Sequence, residues 1–220
     1  MRAVGVGGGI GTMVLAFVLW KFLGVDPSVV MNDGQAIQQN RQASGPVQET
    51  AEEAQTRQFV STVLADTEDT WQKIFAERGS RYQPPKLVLF SGMVQSACGA
   101  AQSAMGPFYC PADQKVYLDM SFFRDMRRQL GISGEQQNSG NAASDQAGDF
   151  AQAYVIAHEV GHHVQNLMGI AEQMQRARQN ASEAQANALS VRQELQADCL
   201  AGVWANQTQQ RVNFLQAGEI

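Results

Sequence analysis

All three histidines of this 220-residue chain lie in one hexapeptide, His158-Glu-Val-Gly-His-His163. Apolar residues recur at helical spacing around it and predict a buried helix that begins near Asp149 and ends near Gly169. Residues four apart share a face of a helix, so His158 and His162 point the same way. Any fold for this chain must therefore place two imidazoles side by side on a packed helix.

The spacing of the two histidines indicates a catalytic zinc site. Two imidazoles at this spacing can bind one tetrahedral Zn²⁺ ion, and Glu159 lies beside them as a base for a water molecule that the ion acidifies. His163 points about 100° away from His162 on a helix and fits a surface or hydrogen-bonding residue better than a ligand. Gly161 costs helix stability, which indicates that another element approaches the helix closely there.

A third protein ligand must come from another segment, because catalytic zinc usually has three. Gln165 and Met168 occupy the positions where the metzincin pattern requires glycine and histidine, which excludes that class. Glu194 and Asp198 lie four apart among apolar residues, in a gluzincin-like arrangement. We predict that Glu194 binds the metal and that Asp198 accepts the second ring proton of a ligand histidine. The reverse assignment is the alternative.

Several separate runs resemble one known family. The runs are Gly106-Pro-Phe-Tyr-Cys-Pro-Ala-Asp113, Val116-Tyr-Leu-Asp119, the helix around the histidines and Glu194-Leu-Gln-Ala-Asp-Cys-Leu-Ala-Gly-Val-Trp204. Together, and in this order, they resemble the bacterial neutral zinc metallopeptidase family. The resemblance implies a membrane-anchored zinc peptidase with a zincin-like fold. It also implies that relatives continue past Ile220, so that a C-terminal part of the domain is expected to be missing.

The three cysteines indicate an oxidising compartment. Cys98 and Cys110 flank a short loop and can form a disulfide, which would stabilise the domain by about 3 kcal/mol. Zinc binding by this pair is the alternative, but the chain has no Cys-x-x-Cys spacing. Cys199 remains without an expected partner in this chain. It is either a small buried apolar residue or half of a disulfide with a missing C-terminal region.

Residues 1–25 predict a signal anchor that crosses the membrane as one helix. No charge interrupts the stretch from Ala3 to Trp20, although glycines weaken its first half, and a cleaved signal peptide is the alternative. Arg2 and the terminal amine favour an N-terminus inside the cell. The expected location is therefore the bacterial inner membrane, with a single span and an extracytoplasmic, periplasmic catalytic domain.

The remaining chain predicts a polar stalk and one domain. Residues 26–48 are rich in Gln, Asn, Ser and Gly and are typical of a flexible linker. Residues 49–220 predict an α+β domain that is mostly helical and has a small sheet formed by residues 86–90 and 115–119. Residues 131–148 are expected to be a loop. We expect residues 115–119 to be an edge strand along which a peptide substrate could bind.

These features favour a zinc-dependent peptidase that acts on peptides or unfolded protein outside the cytoplasm. His158, His162 and Glu194 are the predicted metal ligands, and Glu159 is the predicted catalytic base. The net charge of −5 argues against nucleic acid as a partner. Two alternatives remain: a membrane-tethered zinc-binding scaffold with little turnover, and a zinc hydrolase of non-peptide substrates.

Overall fold

The computed structural model describes residues 50–129 and 142–212. The chain divides into two units, Met1–Glu49 and Thr50–Ile220, and the described residues belong to the second. Its elements are α1 (Ala51–Glu77), β1 (Lys86–Phe90), β2 (Met93–Ser96), β3 (Gly99–Gln102), a 3₁₀ turn (Ser103–Met105), β4 (Phe108–Cys110), β5 (Lys115–Asp119), α2 (Phe122–Gln129), α3 (Ala142–Leu167), α4 (Ile170–Gln179) and α5 (Glu183–Val212). The domain is α+β and mostly helical, as expected.

The predicted anchor and stalk, residues 1–25 and 26–48, lie outside the described residues. Among the helices from α1 to α5, none has an apolar stretch of the length that a bilayer crossing requires.

The first described helix, α1, begins at a capping box. The hydroxyl of Thr50 accepts the backbone N–H of Glu53 at 3.2 Å, and the carboxylate of Glu53 accepts the backbone N–H of Thr50 at 2.8 Å.

Three long helices form the core of the domain. α3 is the central element and packs against α1, α5 and the sheet. The buried face of α1 carries Val60, Val63, Leu64 and Trp71, which recur at helical spacing. The core includes Val60, Leu64, Trp71, Leu118, Ile156, Val160, Val164, Ala201 and Trp204.

The main sheet has three strands in the order β1-β5-β4. β1 runs parallel to β5, and β4 runs antiparallel to it. The strands predicted at residues 86–90 and 115–119 are confirmed. The prediction that residues 115–119 form an edge is wrong, because β5 is hydrogen-bonded on both sides, and β1 and β4 are the edge strands of this sheet. A strand of three residues, such as β4, carries no periodic pattern that would identify it in the sequence.

The helix that carries the histidines is longer than predicted. α3 begins at Ala142, so Asp149 lies inside the helix and the predicted loop at residues 131–148 overlaps its first two turns. Alanines in this part favour a helix, but no apolar stripe marks it. The predicted end is confirmed, since α3 stops at Leu167 and Gly169 has a φ of +73°. After Gly169 the chain continues as two helices, α4 and α5.

A disulfide joins Cys98 to Cys110, with an S–S distance of 2.04 Å and a Cα–Cα distance of 5.8 Å. It connects the turn between β2 and β3 to the end of β4, where Cys110 is fully buried. Cys199 is free and exposed on α5, so its interpretation as a small buried residue is wrong. The positions that face the core on this part of α5 are Ala197 and Ala201.

Removal of the disulfide should destabilise the domain. We expect the double variant Cys98→Ser/Cys110→Ser to lower the free energy of unfolding by about 3 kcal/mol, because the unfolded chain regains the entropy of an open loop. Urea unfolding followed by circular dichroism measures the change. Cys199→Ser is the matched control and should change the free energy by less than about 0.5 kcal/mol. Equal stability of the wild-type chain with and without a reductant would contradict the expectation.

Candidate metal centre and active site

Gly161 allows α3 and α5 to pack with their backbones in contact. A Cβ atom at this position would lie 2.8 Å from the carbonyl oxygen of Ala197 and 3.2 Å from its Cα. The close approach predicted from Gly161 is therefore confirmed, and the approaching element is α5. This contact places Glu194 and Asp198 of α5 opposite the histidines of α3.

Three potential metal ligands converge at this contact. The Oε2 atom of Glu194 lies 3.3 Å from Nε2 of His158 and 3.2 Å from Nε2 of His162. A tetrahedral ion with bonds of about 2.0–2.1 Å separates its ligand atoms by about 3.3 Å. The distances from Glu194 to both imidazoles therefore fit zinc, and all three ligand atoms lie within 4.8 Å of one another.

The other ring nitrogens have acceptors that fix the imidazole tautomers. Nδ1 of His158 donates to Oδ1 of Asp198 at 2.9 Å, and Nδ1 of His162 donates to Oε1 of Gln165 at 3.0 Å. In neutral imidazoles of this tautomer, both Nε2 lone pairs face the carboxylate of Glu194. Three electron-pair donors then meet with no hydrogen between them, an arrangement that a cation compensates.

Two residues that support the site were not predicted from the sequence. Gln165 is fully buried, and its amide group donates to the backbone oxygen of Gln193 at 2.7 Å and to Oε1 of Gln196 at 3.0 Å. The hydroxyl of Tyr154 donates toward Asp198, at 3.2 Å from its backbone oxygen and 3.3 Å from Oδ1. Both residues lie one helical turn from a histidine of α3, and this spacing could have indicated their supporting roles.

Glu159 follows His158 on α3 and contacts β4. Its side chain is buried, and the backbone N–H of Tyr109 in β4 donates to its carboxylate. The pKa of Glu159 is raised to about 8, mainly by burial and also by the nearby Glu194, whereas the Tyr109 N–H acts in the opposite direction. In its ionised form this carboxyl group can accept a proton.

His163 is not one of the three candidate metal ligands. It is fully buried, so the alternative of a surface residue is wrong and that of a hydrogen-bonding residue is confirmed. Its Nδ1 lies 2.9 Å from the hydroxyl of Tyr109, and its Nε2 lies 2.6 Å from the backbone oxygen of Gln83.

Comparison with known proteins agrees with this donor set. Residues 1–220 match the profile of a family described as putative neutral zinc metallopeptidase. The chain belongs to this family. The family description implies zinc, and His158, His162 and Glu194 form a candidate site with the ligand types that zinc prefers.

Proteins with similar sequences occur in Escherichia coli and Mycobacterium tuberculosis. The uncharacterized protein YpfJ of Escherichia coli (strain K12) is 46% identical over 213 residues, which cover 97% of this chain and 67% of that protein. The uncharacterized protein Rv2575 of Mycobacterium tuberculosis (strain ATCC 25618 / H37Rv) is 38% identical over 184 residues, which cover 83% and 57%. No solved structure matches this chain.

The contact between Gly161 and Ala197 predicts how a substitution at Gly161 changes the stability of the domain. Gly161→Ala should lower the free energy of unfolding by about 3 kcal/mol, because the new methyl group meets backbone atoms that cannot rotate away. The same change at Gly202, where nothing lies within 4 Å, should raise it by up to about 1 kcal/mol. Chemical unfolding of both variants measures the difference, and equal effects would contradict the close contact.

Proposed function

We propose that the chain is a zinc-dependent peptidase in which Glu159 is the catalytic base. One observation carries the proposal: the two Nε2 atoms of His158 and His162 converge with Oε2 of Glu194, and the buried carboxyl of Glu159 lies next to His158 in the chain. A general base must lie within reach of the water that attacks the substrate.

The residues around the site divide the chemical work. Zinc, when bound, supplies a Lewis acid that acidifies water and polarises a carbonyl group. Glu159 takes the proton from the attacking water and then delivers it to the amine that leaves. Asp198 and Gln165 hold the two imidazoles in the tautomer and orientation that binding requires.

The peptide substrate is proposed to bind along the outer edge of β4. No strand of the described ranges 50–129 and 142–212 pairs with this edge. An extended peptide can add to a free strand edge through backbone hydrogen bonds, with little selection of side chains. The contact between the Tyr109 N–H and Glu159 supports this choice, because it brings the edge next to the catalytic base.

We also propose that the domain works outside the cytoplasm, held at the bacterial inner membrane by residues 1–25. The disulfide between Cys98 and Cys110 supports this location, because such bonds persist in oxidising compartments such as the periplasm.

The proposed activity can be tested with the 220-residue chain in detergent. Zinc per chain is measured by mass spectrometry, and cleavage of labelled, carboxymethylated casein is followed with the metal removed by a chelator and then restored. We expect one zinc per chain and cleavage that disappears and returns with the metal. Bound zinc without cleavage would favour a zinc-binding scaffold, and a chain that binds no zinc would refute both functions.

A further inference from the structure

One face of α3 attaches the edge strand β4 beside the catalytic base. Glu159, His163 and Asn166 are separated by four and three residues and share this face. Tyr109, the middle residue of β4, lies against it, with its ring centroid 5.3 Å from that of His163. Tyr109 is thus the residue through which β4 contacts the helix that carries the site.

The hydrogen bonds around His163 determine its tautomer. The backbone oxygen of Gln83 can only accept, so Nε2 of His163 carries the proton and donates to it at 2.6 Å. Nδ1 therefore has a free lone pair and accepts the hydroxyl proton of Tyr109 at 2.9 Å. The hydroxyl oxygen of Tyr109 in turn accepts from Nδ2 of Asn166 at 3.0 Å. Both ring nitrogens of this fully buried histidine are satisfied.

Tyr109 is held to α3 at two points. Its hydroxyl reaches His163 and Asn166, while its backbone N–H reaches the carboxylate of Glu159 one helical turn earlier. The side chain thus determines where the backbone of β4 lies relative to the base.

We propose that His163 is a positioning residue that sets the distance between the edge of β4 and Glu159 through the hydroxyl of Tyr109. This inference rests on the proposed peptidase function. A peptide paired with β4 follows any shift of the strand, and a displacement of about 1 Å from the reacting groups can cost about a hundredfold in rate.

The strand remains part of the sheet when this attachment is lost. Tyr109 pairs with Val116 of β5, and the next residue, Cys110, is held by its disulfide to Cys98. A variant without the Tyr109 hydroxyl should therefore fold, with β4 still paired to β5 but less firmly held against α3.

The first test compares the same substitution at two tyrosines in paired strands. Tyr109→Phe removes the hydroxyl that donates to His163. Tyr117→Phe removes a hydroxyl of β5 that donates at 2.5 Å to Asp113, which lies in the turn before β5. With casein-derived peptides, we expect Tyr109→Phe to lower kcat about tenfold. KM should change less than about threefold, and zinc per chain should stay at the wild-type value. Tyr117→Phe should retain the wild-type kcat within about twofold. Equal losses of kcat in the two variants would overturn the proposal.

Two replacements of His163 separate positioning from simple packing. Asn places a polar atom near the position of Nδ1 and can keep the bond to Tyr109, whereas Gln places one near Nε2 and can keep only the bond to Gln83. We expect His163→Asn to retain more kcat than His163→Gln. Gln is closer to histidine in size, so the opposite order would indicate a packing role and would overturn the proposal.

Hydrogen exchange distinguishes failure of this inference from failure of the proposed function. In Tyr109→Phe, the backbone amides of residues 108–110 should exchange at least about fivefold faster than in the wild-type chain, while those of α1 stay unchanged. Unchanged exchange in β4 would overturn the anchoring role. Absence of hydrolysis by the wild-type chain would instead overturn the peptidase function, and the exchange result would then decide the anchoring alone.

Discussion

Glu159→Gln should abolish measurable peptide hydrolysis while the protein keeps its fold and its zinc. The amide has nearly the shape of the carboxylic acid but cannot take a proton from water, and loss of a general base costs about 10²–10⁴-fold in rate. Burial already disfavours the charged form of Glu159, so a neutral side chain suits its surroundings. The measurements are kcat/KM on casein-derived peptides, zinc per chain and the unfolding midpoint.

Glu172→Gln is the matched control for this experiment. Glu172 lies on α4, is exposed and pairs with Arg176 one turn later, so its loss should leave hydrolysis unchanged. If Glu159→Gln kept more than about a tenth of the wild-type rate, Glu159 would not be the base, because general bases contribute at least about a hundredfold.

Glu194→Ala should remove zinc from the site, whereas Asp198→Ala should only weaken its binding. Glu194 supplies one of the three converging ligand atoms, and two imidazoles alone leave the ion without the third protein ligand that catalytic zinc usually has. Asp198 contacts His158 instead, and the loss of such a supporting partner costs about 10–100-fold in metal affinity. Competition with a chromophoric chelator measures both affinities.

Glu183→Ala serves as the control for the ligand variants, since Glu183 is an exposed acid in the first turn of the same helix. It should bind zinc as tightly as the wild-type chain. Retention of zinc by Glu194→Ala together with its loss from Asp198→Ala would reverse the two roles.

The sequence predicted the metal cluster because helical spacing encodes local geometry. Residues four apart on α3 and on α5 must share a face, so each helix presents its pair of site residues whatever the rest of the fold does. Gly161 added a tertiary prediction, since a costly glycine inside a helix indicates contact with another backbone. Glu194 was predicted as the third ligand because catalytic zinc usually has three protein ligands and because Glu194 and Asp198 have a gluzincin-like spacing.

The surroundings of the cluster could not be predicted because they depend on distant pairing. The partners of His163 lie 54 and 80 residues earlier in the chain, at Tyr109 and Gln83. A short run of β-branched, aromatic and apolar residues predicted β5 as a strand, but its central position follows only from pairing with both β1 and β4. The first two turns of α3 were likewise not predicted, because their residues have helical propensity but form no apolar stripe.

The shortness of β4 has a consequence for the colloidal behaviour of the protein. An open strand edge invites pairing with another copy and growth into aggregates. β4 has only three residues, so it offers a neighbouring copy only a short row of backbone groups with which to extend the sheet. Pairing between two copies is therefore weak, whereas the proposed peptide substrate would also be held at the metal centre.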